Sequence, residues 1–195
     1  MKTLCLLIAS LLSMPALFGQ NAALKSLAEE DQSVRLDPGK KATHWKDDDD
    51  RIKLVLELLA KGAAQTPEDK FNAAIVLQHT PLTFCENHLV SESTYNYLLA
   101  HYLARQSYEG GYAQAKELVA QSIDRYLSFT EGHQRYGTNR ITNQVTGKEE
   151  LVPIDRNVPD SERAKYGVPP LAQLLKAYPE QKPASNKSTA KPRNH

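Results

Sequence analysis

The chain is poor in cysteine. It has two, and one of them, Cys5, falls in the first nineteen residues. If that stretch is removed, Cys85 stands alone and no internal disulfide can form. Stability must then come from a packed core, and 195 residues suffice for one domain with such a core. A solitary thiol in an oxidising compartment is best hidden, so a buried helix face is the expected place for Cys85. A reactive thiol or an intermolecular bridge is the alternative. Charge of one sign is lacking too. Lys and Arg number 24 against 23 Asp and Glu, with no basic stripe in the body of the chain, and this argues against a nucleic-acid partner. No apolar run reaches the roughly 20 residues that span a bilayer.

Familiar catalytic signatures are missing as well. There is no Gly-x-Ser-x-Gly and no His-Glu-x-x-His, and Gly110-Gly111 lacks the Lys-Ser/Thr of a phosphate-cradling loop. The histidines are scattered, so neither a metal nor a cofactor is expected. Asp47 to Asp50 is a run of four acids without the alternating ligands of a calcium loop. It reads better as the charged start of the helix that follows from Ile52. Cys85 with His79 or His88 makes a weak nucleophile–base pair, since Pro81 separates the segments.

What is present begins with an export signal. Lys2 supplies one positive charge, Leu4 to Leu12 is apolar, and Ala16 and Gly19 are small residues near a cleavage point. Charge, apolar run and small residues in that order describe a signal peptide over 1–19, and hence a periplasmic or secreted protein with no transmembrane segment after its removal. A buried N-terminal helix is the alternative. Without Lys2, the formal charges balance at 23 each.

The mature chain is mainly α: a single helical domain of about five main helices with a small C-terminal β-hairpin, spanning 20–178. Helices are expected at Asn21–Leu36, from Ile52 to Gly62, from the Thr66-Pro67 cap to Pro81, at Glu86–Arg105 and at Tyr112–Glu131. Arg135–Val145 and Glu150–Ile154 are short runs with β-branched residues around Thr146-Gly147-Lys148, near 134–154, and predict a hairpin. An isolated hairpin is marginal in water, so it must pack on the helices. Short helices follow from Asp160 and from Pro169-Pro170. From Pro179 the chain has no apolar periodicity and reads as a disordered basic tail over 179–195.

Several polar residues fall on faces that the apolar spacing turns inward. Asp31 and Arg35 share the stripe of Leu24, Leu27, Ala28 and Val34. A charge on a core-facing stripe needs partners to offset its desolvation. Gln78 and His79 face inward at a helix end. Asp124 lies on the flank of the Ala115–Tyr126 stripe, with Arg125 beside it. Gln134-Arg135-Tyr136-Gly137-Thr138 then follows Gly132, with Gly137 as its pivot. Arg35, Arg125 and Arg135 offer planar forks for a carboxylate or phosphate. Asp31 or Asp124 can hold such an arginine, with Arg135 within reach of either. Gln78, Gln134, Tyr136 and Thr138 add directional hydrogen bonds, and His79 suits a general base if it meets a cleft. Three readings stay open: a polar network that ties the hairpin to the helices, a site for a small anionic ligand with a hydrolase that uses His79 as base as its enzymatic form, or a protein-interaction module built on the tyrosine-rich helix between Tyr95 and Tyr112.

The ordered set Asp31-Gln32-x-x-Arg35, Gln78-His79, Asp124-Arg125, Gln134-Arg135-Tyr136-Gly137-Thr138, Pro153-Ile154-Asp155 and Gly167-x-Pro169-Pro170-Leu171, with Arg163 before the last, resembles an uncharacterised bacterial family classed as a domain of unknown function. The resemblance covers roughly Ser26 to Leu175. It departs at Asn139, where Gln is usual, at Ala164, where a second basic residue is expected, and in a longer helical segment around Tyr95–Tyr112. It implies a domain and no activity. Ala100-x-x-Leu103-Ala104 through Gly111-x-x-x-Ala115 to Ala120 is also similar to one tetratricopeptide-like helix pair. There is no second copy, and such units need about three to bury their faces.

Overall fold

Alanine decides how closely the central helices approach. In a computed structural model, the chain is described over residues 19–37, 44–85, 88–143 and 146–181. Nearly all of the signal expected over 1–19 and of the tail expected over 179–195 lies outside these residues. Ala73, Ala74, Ala100, Ala104, Ala115 and Ala120 are all fully buried. They sit on or beside α3 (Pro67–Leu77), α4 (Thr94–Glu109) and α5 (Lys116–Thr130), which pack one against the next. Small side chains let the backbones come together, and Leu77, Val76, Leu103, Leu118 and Val119 fill the remaining space. A short 3-10 turn at Ala113–Ala115 leads into α5.

Two further helices cover the other side of α3. They are α1 (Ala22–Leu36) and α2 (His44–Ala60). The starts of α1 and α3 are tied together through one carboxylate. The Thr66 hydroxyl accepts the Asp69 N–H while Asp69 accepts the Thr66 N–H, the reciprocal cap expected at this Thr-Pro start. The other Asp69 oxygen accepts the Asn21 N–H at 2.6 Å, and Asn21 in turn caps α1 by accepting from Ala23 and Leu24. One buried acid therefore fixes the entry of two helices.

The fold class matches the sequence reading: among the described residues there are five main helices, two short ones and the expected C-terminal hairpin. That hairpin pairs β3 (Arg140–Thr142) with β4 (Glu149–Leu151) in antiparallel register, Arg140 opposite Leu151. It docks on the helices through Leu151, Val152 and Ile154, all buried. The short α6 (Asp160–Lys165) and α7 (Leu171–Ala177) close that end. Among the described residues no helix is long and apolar enough to cross a membrane.

Four expectations are corrected. The segment after Pro81 is not helical from Glu86. Leu82–Cys85 and His88–Ser91 form an antiparallel hairpin, β1–β2, and α4 begins only at Thr94. Thr83 and Val90, paired in register, are the β-branched residues that mark it. Cys85 consequently lies exposed on a strand and not buried on a helix face. The acidic run does not precede α2 either: the helix starts at His44, so the run falls inside its first turns. The tyrosines between 95 and 112 divide. Tyr97 is sealed and stacks on Phe129, Tyr108 meets Tyr166 and Tyr112 meets Phe71. Tyr95 and Tyr102 are exposed, and two rings do not make a continuous aromatic patch.

Candidate functional site

The loop after α5 is organised by a single carboxylate. Gly132 leaves the helix with φ 71°, and the chain folds back over Asp124. Asp124 Oδ1 accepts the N–H groups of Arg135 and Tyr136, each at 2.8 Å. Asp124 Oδ2 accepts the N–H groups of Gly137 and Thr138 and the Thr138 hydroxyl, at 2.8–2.9 Å. Four successive backbone donors and one hydroxyl thus enclose one fully buried acid. All five contacts are donated to it, which favours the ionised form; burial works the other way and raises its pKa. Gly137 sits at φ 105°, and a Cβ there would lie 2.6 Å from Leu174 Cδ1.

The rest of the loop is held with similar completeness. Gln134 is buried; its amide donates to the carbonyls of Asn139 and Val152 and accepts the Asn139 N–H. Arg163 is fully buried on α6 and donates to the carbonyls of Tyr136, Val158, Asp155 and Arg135. A planar fork with five donors suits four convergent carbonyls. The Arg135 side chain reaches neither Asp31 nor Asp124. It points outward, stacks over Tyr136 and pairs with Glu162 at 2.9 Å. Burial works to raise Glu162, but hydrogen bonds from Arg135 and Tyr136 hold it below its ordinary value. Burial and the same Glu162 raise the Tyr136 phenol. Gln134, Arg135, Tyr136 and Asp124 are therefore engaged in building the loop.

A second polar system joins α1, α2 and the end of α3. Asp31 is fully buried. Its Oδ2 lies 2.7 Å from His79 Nδ1 and accepts from Gln32 at 2.8 Å. Its Oδ1 has Arg35 at 3.3 Å and Arg51 Nε at 3.9 Å, ionic contacts without hydrogen-bond geometry. Asp48 bridges the same two arginines, accepting from Arg35 at 3.1 Å and from Arg51 at 2.5 Å. Arg51 is buried and also reaches Glu30. Two buried acids are thus faced by two arginines, the arrangement under which buried charges are tolerated. Burial is the largest influence on His79 and lowers its pKa; Asp31 opposes this, while Arg35 and Arg125 add to it.

The two systems meet at a cleft. Gln78, His79, Gln121, Arg125, Thr138 and Asn139 line about 190 Å³. Arg125 donates to the Gln78 carbonyl at 2.9 Å and lies over the Tyr97 ring. Among the described residues no carboxylate comes within ion-pair distance of it. Burial lowers its pKa, yet a guanidinium stays charged in proteins. Gln78 is 5% exposed, and its Oε1 is sealed without a hydrogen-bond partner among the described residues. Gln121 and Thr138 are shared with a second cleft of about 380 Å³, whose apolar wall includes Tyr166, Val168, Pro169 and Leu174.

Of the residues singled out from the sequence, Gln78, His79, Arg125 and Thr138 converge on this cleft, with Asp31 and Arg35 directly behind His79. Asp124 is sealed beneath it, and Arg135 lies elsewhere. Sequence reasoning missed Asp48 and Arg51 as partners of the His79 system, and Gln121 and Asn139 as lining. Asp48 was hidden by its three acidic neighbours. The signal for Arg51 was its spacing of three residues from Asp48, which puts both on one helix face. No group of three or more His, Cys, Asp or Glu able to hold a metal occurs among the described residues. No family model, curated protein or solved structure matches this chain.

Proposed function

We propose that the cleft between α3, α5 and the Thr138 loop binds a small anionic ligand. Arg125 carries the reading: a guanidinium lining a cleft with no carboxylate of the described residues to neutralise it. Gln78 and Gln121 line the same cleft and add polar, uncharged wall. The Thr138 and Asn139 side chains add short polar contacts. A charged group in a partly desolvated pocket attracts its counter-charge more strongly than one in water. On this proposal the domain acts outside the cytoplasm, after loss of residues 1–19; N-terminal sequencing of the mature protein would show a start at or near Gln20.

Calorimetry and thermal melting with phosphate and with the dicarboxylate glutarate test the reading. A ligand at about 100 times its Kd stabilises the folded state by about 2.7 kcal/mol. Arg125→Met is expected to abolish the response, and Arg135→Ala, at the exposed Glu162 pair, to retain it. Failure of both anions to bind wild-type protein at millimolar concentration would refute the proposal.

A further inference from the structure

His79 is more than part of the cleft wall. Asp31 is buried and accepts through Oδ2, so His79 Nδ1 must carry the proton of their 2.7 Å contact. That leaves Nε2 as the ring nitrogen for the cleft, and among the described residues nothing bonds to its lone pair. Asp31 is itself fixed by Arg35, and Asp48 and Arg51 stand behind it on α2. Arg125 faces the ring from α5, and Gln121, Thr138 and Asn139 complete the lining without adding charge. A histidine held in one tautomer by a buried acid, beside an anion-binding guanidinium, is the arrangement of a general base. The larger cleft beyond Gln121 and Thr138 has Glu117 and Arg140 in its lining, and its apolar wall of Tyr166, Val168, Pro169 and Leu174 gives room for a second, uncharged half of a substrate.

Resting on the anion-binding reading, we propose that His79 is a general base positioned by Asp31, and that the cleft hydrolyses esters whose acid half carries a free carboxylate and whose leaving group is apolar. Arg125 holds the free carboxylate. His79 Nε2 takes a proton from a water as the water oxygen bonds to the ester carbonyl carbon. The carbon–oxygen bond to the leaving group then breaks. The imidazolium returns its proton to the departing oxygen, giving a carboxylic acid and an alcohol or phenol. His79 is the catalytic residue and Asp31 a positioning residue. Burial lowers the His79 pKa, so the ring is neutral and able to accept a proton at neutral pH.

The probe is mono-para-nitrophenyl glutarate, with release of nitrophenolate as the readout. Wild-type protein is expected to hydrolyse it faster than an equal concentration of free imidazole. The rate is expected to rise through a single ionisation below pH about 6.5 and then level off. His79→Gln is expected to lose roughly 100-fold or more. Asp31→Asn is expected to lose a similar factor in kcat while glutarate still binds, because a side-chain amide allows the wrong tautomer. If these variants fold poorly, nitrogen NMR of the wild-type protein decides: a proton on Nδ1 with Nε2 bare is expected, and a proton on Nε2 near neutral pH overturns the proposal. It is also overturned if wild-type protein is no faster than imidazole, or if His79→Gln stays within about threefold of wild type. In either case glutarate calorimetry shows separately whether the anion site stands.

Discussion

Replacement of Asp124 by asparagine removes one acceptor oxygen and almost nothing else. The shape is kept, but one of the two carboxylate oxygens becomes an NH2 group. In the wild type, Oδ1 serves two backbone donors, and Oδ2 serves two backbone donors and the Thr138 hydroxyl. Whichever way the amide is turned, two backbone N–H groups lose their acceptor and face another donor. The Thr138 hydroxyl can rotate away, so it is left out. An unsatisfied buried donor costs about 1–3 kcal/mol, so Asp124→Asn is expected to destabilise by about 2–6 kcal/mol. That is a large part of the roughly 5–15 kcal/mol that holds a domain together. Urea denaturation measures it as a lower midpoint at unchanged slope. Hydrogen exchange locates it, with protection lost first at residues 135–138. A variant within about 1 kcal/mol of wild type, with those amides still protected, would refute the view that one carboxylate organises the loop.

Gly137→Ala places a side chain at positive φ and 2.6 Å from Leu174 Cδ1; strain and overpacking together predict a loss of about 2–4 kcal/mol by thermal unfolding. The His79 pKa is lowered in the fold, so the unfolded chain binds the proton more readily and stability is lost as pH falls below about 6.5. His79→Gln is expected to flatten that part of the stability–pH curve, and an equal slope in the variant would refute the assignment. Cys85 is exposed, so a disulfide reagent is expected to titrate one thiol in the native mature protein at the rate of an unhindered cysteine; a thiol that reacts only after denaturation would contradict the β1–β2 placement.

The order of the five main helices was legible because each carries a local mark. Thr66-Pro67 with Asp69 three residues beyond the cap, Gly62 and Gly132 at helix ends, and the apolar stripes all act within one or two turns. The C-terminal hairpin was legible from its change of period. The β1–β2 hairpin was not. Its strands are four residues each, too short for alternation to stand against the apolar stripe of α4 that follows. Cys85 was misplaced with them.

At the site, the sequence alone determined which residues lay inward where an apolar stripe implied it: Asp31, Arg35, Gln78 and His79 fall there by helical spacing, which is a property of the chain itself. It did not determine their partners. Asp124 and Arg135 were matched by opposite charge, yet the fold brings Asp124 to the backbone N–H of Arg135 and sends the guanidinium to Glu162. Backbone donors are identical at every residue, so no side-chain pattern reveals which of them a buried acid will collect. The separation of Arg125 from any described carboxylate, and the meeting of His79 with Thr138 across one cleft, belong likewise to tertiary structure. They depend on how α1, α3, α5 and the loop are oriented in space, and that is decided by the packing of the whole core.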